Sequence, residues 1–191
     1  MLDSIKALGV LEQCGAYLHG HFLLTTGLHS NQFFLLARLT ERPELLDAWA
    51  LVLARQLEPY GTKTVVGPAM GGIIPAYAVA RQWDGARVLF AEKDDQDTMR
   101  FKRGFRIEPG ESVVVVEDAV TTGSSVAKVI DAVKQEGGRV AAVGALVDRS
   151  QGPLRFEEPL VSLVKLGEIP HWEAHDCPLC RQAVPLIRPK A

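Results

Sequence analysis

Two adjacent carboxylates, Glu117 and Asp118, follow the apolar run Val113 to Val116 and lead into Ala119-Val120-Thr121-Thr122-Gly123-Ser124-Ser125. These residue types suit two tasks at once. Gly123 lets the backbone turn tightly so that successive N–H groups face one point, while Thr121, Thr122, Ser124 and Ser125 add hydroxyl donors ahead of a helix N-terminus, a combination that cradles a phosphate. Carboxylates facing that phosphate would repel it, so they accept hydrogen bonds from sugar hydroxyls or stand near a bound cation. A phosphorylated sugar satisfies both halves. The plainer alternative is that the hydroxyls only cap the helix and the acids are solvated, as in many strand-to-helix loops.

Other segments carry weaker signals. Gly67-Pro68-Ala69-Met70-Gly71-Gly72 lacks the spacing of a Rossmann fingerprint, and no Walker A Gly-Lys-Ser/Thr is present, so dehydrogenase and ATPase readings fall away. From Glu92 to Arg106, Lys93, Arg100, Lys102, Arg103 and Arg106 mix with Glu92, Asp94, Asp95 and Asp97 without strong periodicity, which reads as a mobile surface loop. Such a charge mix is equally compatible with plain solvated surface. Cys177 and Cys180 form a Cys-x-x-Cys beside His175, half of a zinc site or a redox pair; Cys14, His171 and His175 are the remaining candidate ligands, and no motif spacing fixes them.

The elements that must position these residues alternate. Thr64 to Val66, a glycine turn into a helix over Ile73 to Gln82, strands Val88 to Ala91 and Val113 to Val116, a helix over Val126 to Glu136, and a strand Val140 to Val147 predict an α/β domain with a mainly parallel central sheet and helices on both faces. The all-valine run predicts a central strand, because burial on both faces removes polar alternation. The phosphate loop then lies at a strand's carboxyl end, where open α/β sheets bind ligands. Before this core come a short helix from Asp3 to Gln13, a small flap over residues 16–36 built from stretches Tyr17 to Leu24 and Gln32 to Leu36, and a helix opened by Pro43 and stopped by Pro59 and Gly61. One strand, Leu160 to Leu166, and a proline-rich end follow, and no boundary divides residues 1–191.

With 191 residues and 47% hydrophobic composition, one domain has enough apolar material for a core, and a net charge of −2 argues against a large commitment to nucleic acid or an anionic membrane. No stretch approaches the roughly 18 apolar residues of a membrane helix. Asp3 and Lys6 interrupt any signal-peptide core, and three cysteines suit a reducing compartment, so the expected location is cytoplasmic.

The segment Val113 to Ser125 resembles the ribose-phosphate signature of the type I phosphoribosyltransferases. Phe22-Leu23-Leu24-Thr25-Thr26-Gly27 with Ser30 and Phe33-Phe34, Gly67-Pro68-Ala69 before Gly71-Gly72-Ile73, and Leu146-Val147-Asp148-Arg149 are similar to the orotate phosphoribosyltransferases among them, so the likeness spans nearly the whole chain. It implies transfer of phosphoribose from phosphoribosyl pyrophosphate to orotate with Mg²⁺, in a homodimer whose mobile catalytic loop, residues 92–104 here, closes across the subunit interface. It implies contacts to phosphoribosyl pyrophosphate from Met70, Gly71 and the run Glu117 to Ser125, and an orotate pocket made by Phe33, Phe34, Thr121 and Arg149. It also implies catalytic roles for Lys93, Arg100, Lys102, Arg103 and Asp118, loop cations that neutralise departing pyrophosphate and exclude water. Many members carry lysine at the positions aligned with Thr25 and Gly71, and a lysine-and-histidine loop pattern that this chain lacks. Two rivals share the ribose-phosphate loop: a purine-salvage enzyme with another base pocket, and a non-catalytic regulator, whose usual basic nucleic-acid module is missing.

Overall fold

A computed structural model describes residues 4–189. In chain order the elements are α1 (Ser4–Gln13), β1 (Tyr17–Leu23), β2 (His29–Phe34), α2 (Ala37–Thr40), α3 (Pro43–Leu57), β3 (Thr64–Pro68), α4 (Ile73–Ala80), β4 (Arg87–Lys93), β5 (Met99–Phe101), β6 (Ser112–Val120), α5 (Ser124–Gln135), β7 (Arg139–Asp148), β8 (Leu160–Lys165), β9 (His171–Trp172) and α6 (Pro178–Arg181). The expected start of the first helix at Asp3 lies outside the described residues.

Six strands form the central sheet in the order β5-β4-β3-β6-β7-β8, with every pairing parallel except β4 with β5. Val113, Val114, Val115 and Val116 are wholly buried in β6 because they face an apolar layer on each side. One layer takes Val114 and Val116 with α3 and α4, where Leu46, Trp49, Leu53 and Leu57 repeat at helical spacing. The other takes Val113 and Val115 with Val126, Val129, Ile130 and Val133 of α5. Alternate residues of a strand point to opposite faces, so one valine run supplies both cores.

Chain order along the sheet reverses between β3 and β6, since β4 and β5 lie beyond β3 while β7 and β8 lie beyond β6. Loops leaving the carboxyl ends of those two strands diverge, and the crevice between them is where doubly wound sheets bind ligands. They are the two glycine-rich stretches of the sequence.

The flap is a hairpin of β1 and β2, with Tyr17 opposite Phe34 and Leu23 opposite His29. Its first strand ends one residue before the expected Leu24, and its second starts earlier and ends sooner than the stretch Gln32 to Leu36, because the turn is narrow: Leu24 and Gly27 close it with backbone hydrogen bonds. The proline-rich end, for which the sequence pattern names no element, holds two more. β9 pairs with β2, α6 follows, and Ile187 bridges to Phe22 and bonds its backbone to His21 and Leu23, so the C-terminal segment is the far wall of the flap.

Two further boundaries differ from the sequence reading. β6 extends through Val120, so Glu117 and Asp118 belong to the strand; pairing of Glu117 with Ala145 and of Val120 with Asp148 carries the ladder past the apolar run. Residues 92–104, expected as a mobile surface loop, carry regular structure. They span most of a hairpin in which β4 turns through Asp94 to β5, with Asp94 accepting bonds from the backbone N–H groups of Gln96 and Thr98.

Candidate active site

At the crevice the two glycine-rich loops approach closely. Gly71 lies against the carboxylate of Asp118: a β-carbon at residue 71 would stand 3.1 Å from Asp118 Oδ2. Gly67 and Gly72 are needed for packing, as a β-carbon at Gly72 would come within 2.5 Å of Pro68. Met70, next to Gly71, is 84% exposed, and the Ala69–Met70 peptide is cis.

Only three residues, Thr121 to Gly123, separate β6 from α5. Gly123 adopts φ +74°, where a side chain is disfavoured, and a β-carbon there would meet Phe156 at 2.6 Å. No side chain caps α5, so its first-turn N–H groups stay open, with the hydroxyls of Thr121, Thr122, Ser124 and Ser125 around them. An uncapped helix start with aligned donors attracts anions.

The two carboxylates are not equivalent. Glu117 is buried, and burial, followed by the neighbouring Asp118 charge, pushes its pKa to about 9. It therefore holds a proton at neutral pH and accepts a bond from the Asp118 N–H at Oε1, 3.1 Å away. Asp118 is half-buried, and its Oδ1 accepts the Ala119 N–H at 2.6 Å.

β7 ends at Asp148, and Arg149 follows beside the carboxyl end of β6, bonded through its backbone N–H to the carbonyl of Val120. Its guanidinium carbon stands 5.0 Å from the centre of the Phe34 ring, a stacking distance for cation and aromatic face. Burial pulls the Arg149 pKa down, and the Asp118 charge opposes that pull. Its Nε is a buried donor without a partner. Buried guanidinium donors are rarely left unpaired, so the geometry suits an anionic, planar acceptor. Asp148 anchors the turn: burial raises its pKa, but bonds from Ser150 and the Lys165 ammonium at 3.1 Å outweigh that and hold it low.

Phe33 and Phe34, expected together in one pocket, take different neighbours. Successive residues of β2 face opposite ways. Phe34 is buried, stacked on Tyr17 with ring centres 4.3 Å apart, on the Arg149 side; Phe33 is half-buried against Phe22 at 5.6 Å. The sequence shows an aromatic pair but not which ring faces inward.

The cations of residues 92–104 are occupied by their own hairpin. Arg103 forks onto Glu92 at 3.1 and 3.0 Å and lies over Phe90; Lys93 pairs with Asp97 at 2.8 Å; Arg100 pairs with Asp94 at 3.1 Å and reaches Gln135. Lys102 donates to the carbonyl of Lys93 at 3.2 Å. These contacts leave Asp94 well below its usual pKa, first through the Thr98 hydroxyl, and hold Asp97 at about 2, first through Lys128 and then Lys93. In this conformation none of the four meets Asp118, Gly71 or Arg149 among the described hydrogen bonds and ion pairs.

The residues weighed as company for the Cys-x-x-Cys are also corrected. Cys14 donates to Leu11 in the α1 core, His171 contacts the Ile169 carbonyl, and His175 pairs with Asp176. The residues that meet Cys177 and Cys180 are His21 and His29, from the flap. No spacing rule could find them, because the contact exists only once the C-terminal segment folds over the hairpin.

A model of the phosphoribosyl transferase domain matches residues 38–176. The chain belongs to the phosphoribosyltransferase family. Relatives of this phosphoribosyltransferase include the orotate phosphoribosyltransferase of Thermotoga maritima, 48% identical over 94% of this chain and 95% of its own, and that of Caldanaerobacter subterraneus subsp. tengcongensis, 44% identical over 98% and 97%. The crystal structure of orotate phosphoribosyltransferase from Aeropyrum pernix superposes with a TM-score of 0.65 at 28% identity, covering 83% of this chain and 92% of that one. The α/β architecture expected from strand and helix alternation is that of this family, and the crevice between β3 and β6 is its candidate active site.

Proposed function

We infer that this phosphoribosyltransferase is the orotate-using enzyme of pyrimidine biosynthesis: orotate and phosphoribosyl pyrophosphate become orotidine 5′-phosphate and pyrophosphate. The ribose C1–oxygen bond to pyrophosphate breaks, a bond from C1 to the orotate ring nitrogen forms, and that nitrogen releases its proton. The observation that carries the choice of base is the half-buried Arg149, stacked over Phe34 with its buried Nε unpaired, which calls for a planar anion. A purine offers no carboxylate to it, and a regulator needs no such pocket.

In this reading the open first turn of α5 and the hydroxyls of Thr121 to Ser125 take the 5′-phosphate, and Asp118 accepts from the ribose hydroxyls. Protonated Glu117 is a rigid support that steadies the Asp118 backbone rather than a second charge. Gly71 and Met70 line the pyrophosphate side, where the missing side chain leaves room beside Asp118. Phe34 and Arg149 hold orotate with Thr121 at its edge, and Phe33 supports the hairpin from the other face. Catalysis then consists mainly of positioning and electrostatics.

The donor set fits a magnesium ion carried by the substrate. With Glu117 protonated, the carboxylates that the described residues bring to the crevice are too few for an all-protein cage, as is usual for Mg²⁺ in phosphate sites. The ion would supply positive charge to the leaving pyrophosphate, with Asp118 near the hydroxyls it shares.

We further propose a homodimer. Met70, Ile74 and Tyr77 are 84%, 51% and 55% exposed, the last two one turn apart on α4, and form an apolar face continuous with the loop that carries Gly71. From a partner bound there, the 92–104 hairpin would reach over the crevice, exchanging its internal ion pairs for pyrophosphate. The three cysteines are free thiols in the structure, which supports a cytoplasmic setting; among the described residues no helix is long and apolar enough to cross a membrane. The test is turnover with orotate, uracil, adenine or hypoxanthine as competing bases, with and without Mg²⁺. Pyrophosphate release with orotate alone, dependent on Mg²⁺, is expected; faster turnover of a purine overturns the reading.

A further inference from the structure

His21 and His29 of the flap and Cys177 and Cys180 of the C-terminal segment converge until their four ligand atoms lie within 4.8 Å of one another. His21 Nε2 stands 2.8 Å from His29 Nδ1, 3.5 Å from Cys177 Sγ and 3.7 Å from Cys180 Sγ, and Cys180 Sγ is 3.4 Å from His29 Nδ1. A tetrahedral zinc ion with Zn–N near 2.0 Å and Zn–S near 2.3 Å separates its ligand atoms by about 3.3–3.8 Å. Three of these four separations already fall in that range, and the fourth needs to open by about half an ångström to reach it.

The protonation pattern points the same way. His21 Nδ1 lies 2.8 Å from the carbonyl oxygen of Val184, an atom that can only accept, so Nδ1 carries the hydrogen and the Nε2 lone pair faces the cluster. A ligating histidine whose other nitrogen donates to a backbone carbonyl is the usual arrangement around zinc. His21, His29 and Cys177 are 1%, 5% and 0% exposed, far from solvent for two imidazoles and a thiol. A redox pair would need only the cysteines; it gives no reason for two buried imidazoles aimed at them.

We propose that these four residues bind a structural zinc ion, closed by two nitrogens and two sulfurs, distinct from the crevice where Asp118 and Arg149 lie. The set leaves no open position for substrate, and two sulfurs with two nitrogens in tetrahedral array select zinc over magnesium or calcium. Its place explains its use. β1, β2 and β9 form a separate sheet of three short strands, too small for a core of its own, and β9 contributes only two residues. Joining residues 21 and 29 to 177 and 180 closes a loop of nearly the whole chain, where a crosslink restricts the unfolded state most. The ion fastens the C-terminal segment to the hairpin that carries Phe34.

The test is metal analysis of the purified full-length enzyme, isolated under reducing conditions. One zinc per chain is expected in the wild type and in Cys14→Ser, whose thiol lies outside the cluster, and less than a tenth of that in Cys180→Ser. Cys180 is exposed, so this variant should still fold, as circular dichroism would check. Replacement by Co²⁺ should give the visible absorption of tetrahedral cobalt with thiolate charge transfer, absent in Cys180→Ser. Removing zinc with a strong chelator should lower Tm, and adding zinc back should restore it. The proposal fails if the wild type remains metal-free after incubation with zinc and reductant, if a Cys177–Cys180 disulfide accounts for both thiols in the reduced preparation, or if Cys180→Ser retains its zinc.

Discussion

Asp118 and Gly71 sit on opposite sides of the point where the sheet reverses its chain order, and a side chain at residue 71 would press within 3.1 Å of the Asp118 carboxylate. The carboxylate is the mobile partner in that contact, so Gly71→Ala should displace it by a few tenths of an ångström rather than unfold the sheet. Steady-state kinetics should show KM for phosphoribosyl pyrophosphate raised several-fold, with Tm nearly unchanged. An unaltered KM would mean that the loops do not share a ligand.

Glu117 and Asp118 should separate in mutants. Asp118→Asn removes the half-buried carboxylate beside Gly71 and should lower turnover by about a hundredfold, the usual scale of one positioned electrostatic contact. Glu117→Gln replaces one neutral hydrogen-bonding group by another and should cost much less. Equal losses would show that Glu117 acts in its charged form.

The Glu117 proton also predicts a pH dependence. The folded state keeps it up to about pH 9, whereas the unfolded chain releases it near 4.5, so ionisation favours unfolding across that window. Glu117 contributes a stability term that is whole below pH 4.5 and declines as pH rises toward 9. Denaturant titrations of the wild type should show this decline, and Glu117→Gln should flatten it. Parallel profiles for the two proteins would refute a buried, protonated Glu117.

If the 92–104 hairpin is a lid, its ion pairs must break on closure. Hydrogen exchange over residues 94–101 should slow when Mg²⁺, phosphoribosyl pyrophosphate and an unreactive orotate analogue are all present, and Arg103→Ala, which frees Glu92, should reduce turnover while leaving the fold intact. Exchange that ignores the ligands would leave the hairpin as ordinary sheet edge. The same mixture bears on assembly: Tyr77→Asp on the exposed face of α4 should shift the mass measured by light scattering from dimer to monomer.

What the sequence disclosed follows from how local each feature is. The central valine strand, the turn at Gly123 and the mainly parallel sheet are read from spacing and residue type alone, and the structure has them as expected. In residues 92–104, Asp94 and Thr98 look like loop residues, and the tight turn they form depends on β4 and β5 pairing around them, which residue type does not reveal. The inequality of Glu117 and Asp118 depends on burial, which adjacency in sequence does not reveal. His21 and His29 were invisible because their partners lie more than 140 residues away.

Arg149 carries the most specific prediction. Its guanidinium lies over Phe34, is largely buried, and leaves Nε without an acceptor, so orotate would replace lost water with a two-pronged carboxylate contact. Arg149→Lys keeps the charge but loses the planar fork and the flat contact with the ring. Orotate KM should rise while KM for phosphoribosyl pyrophosphate changes little. Arg149→Ala removes one side of a desolvated charged pair, a change that typically costs about 2–5 kcal/mol, so orotate binding should weaken by well over tenfold. The stability change should be small or favourable, because an unpaired buried donor leaves with the side chain. Uracil has the same ring without the carboxylate, and its slower turnover should be nearly indifferent to both variants. The deciding measurement is the ratio of orotate to uracil turnover in wild type, Arg149→Lys and Arg149→Ala, with circular dichroism on each. A ratio that stays constant would make Arg149 a structural arginine and transfer recognition of the carboxylate to another donor at the mouth of the crevice.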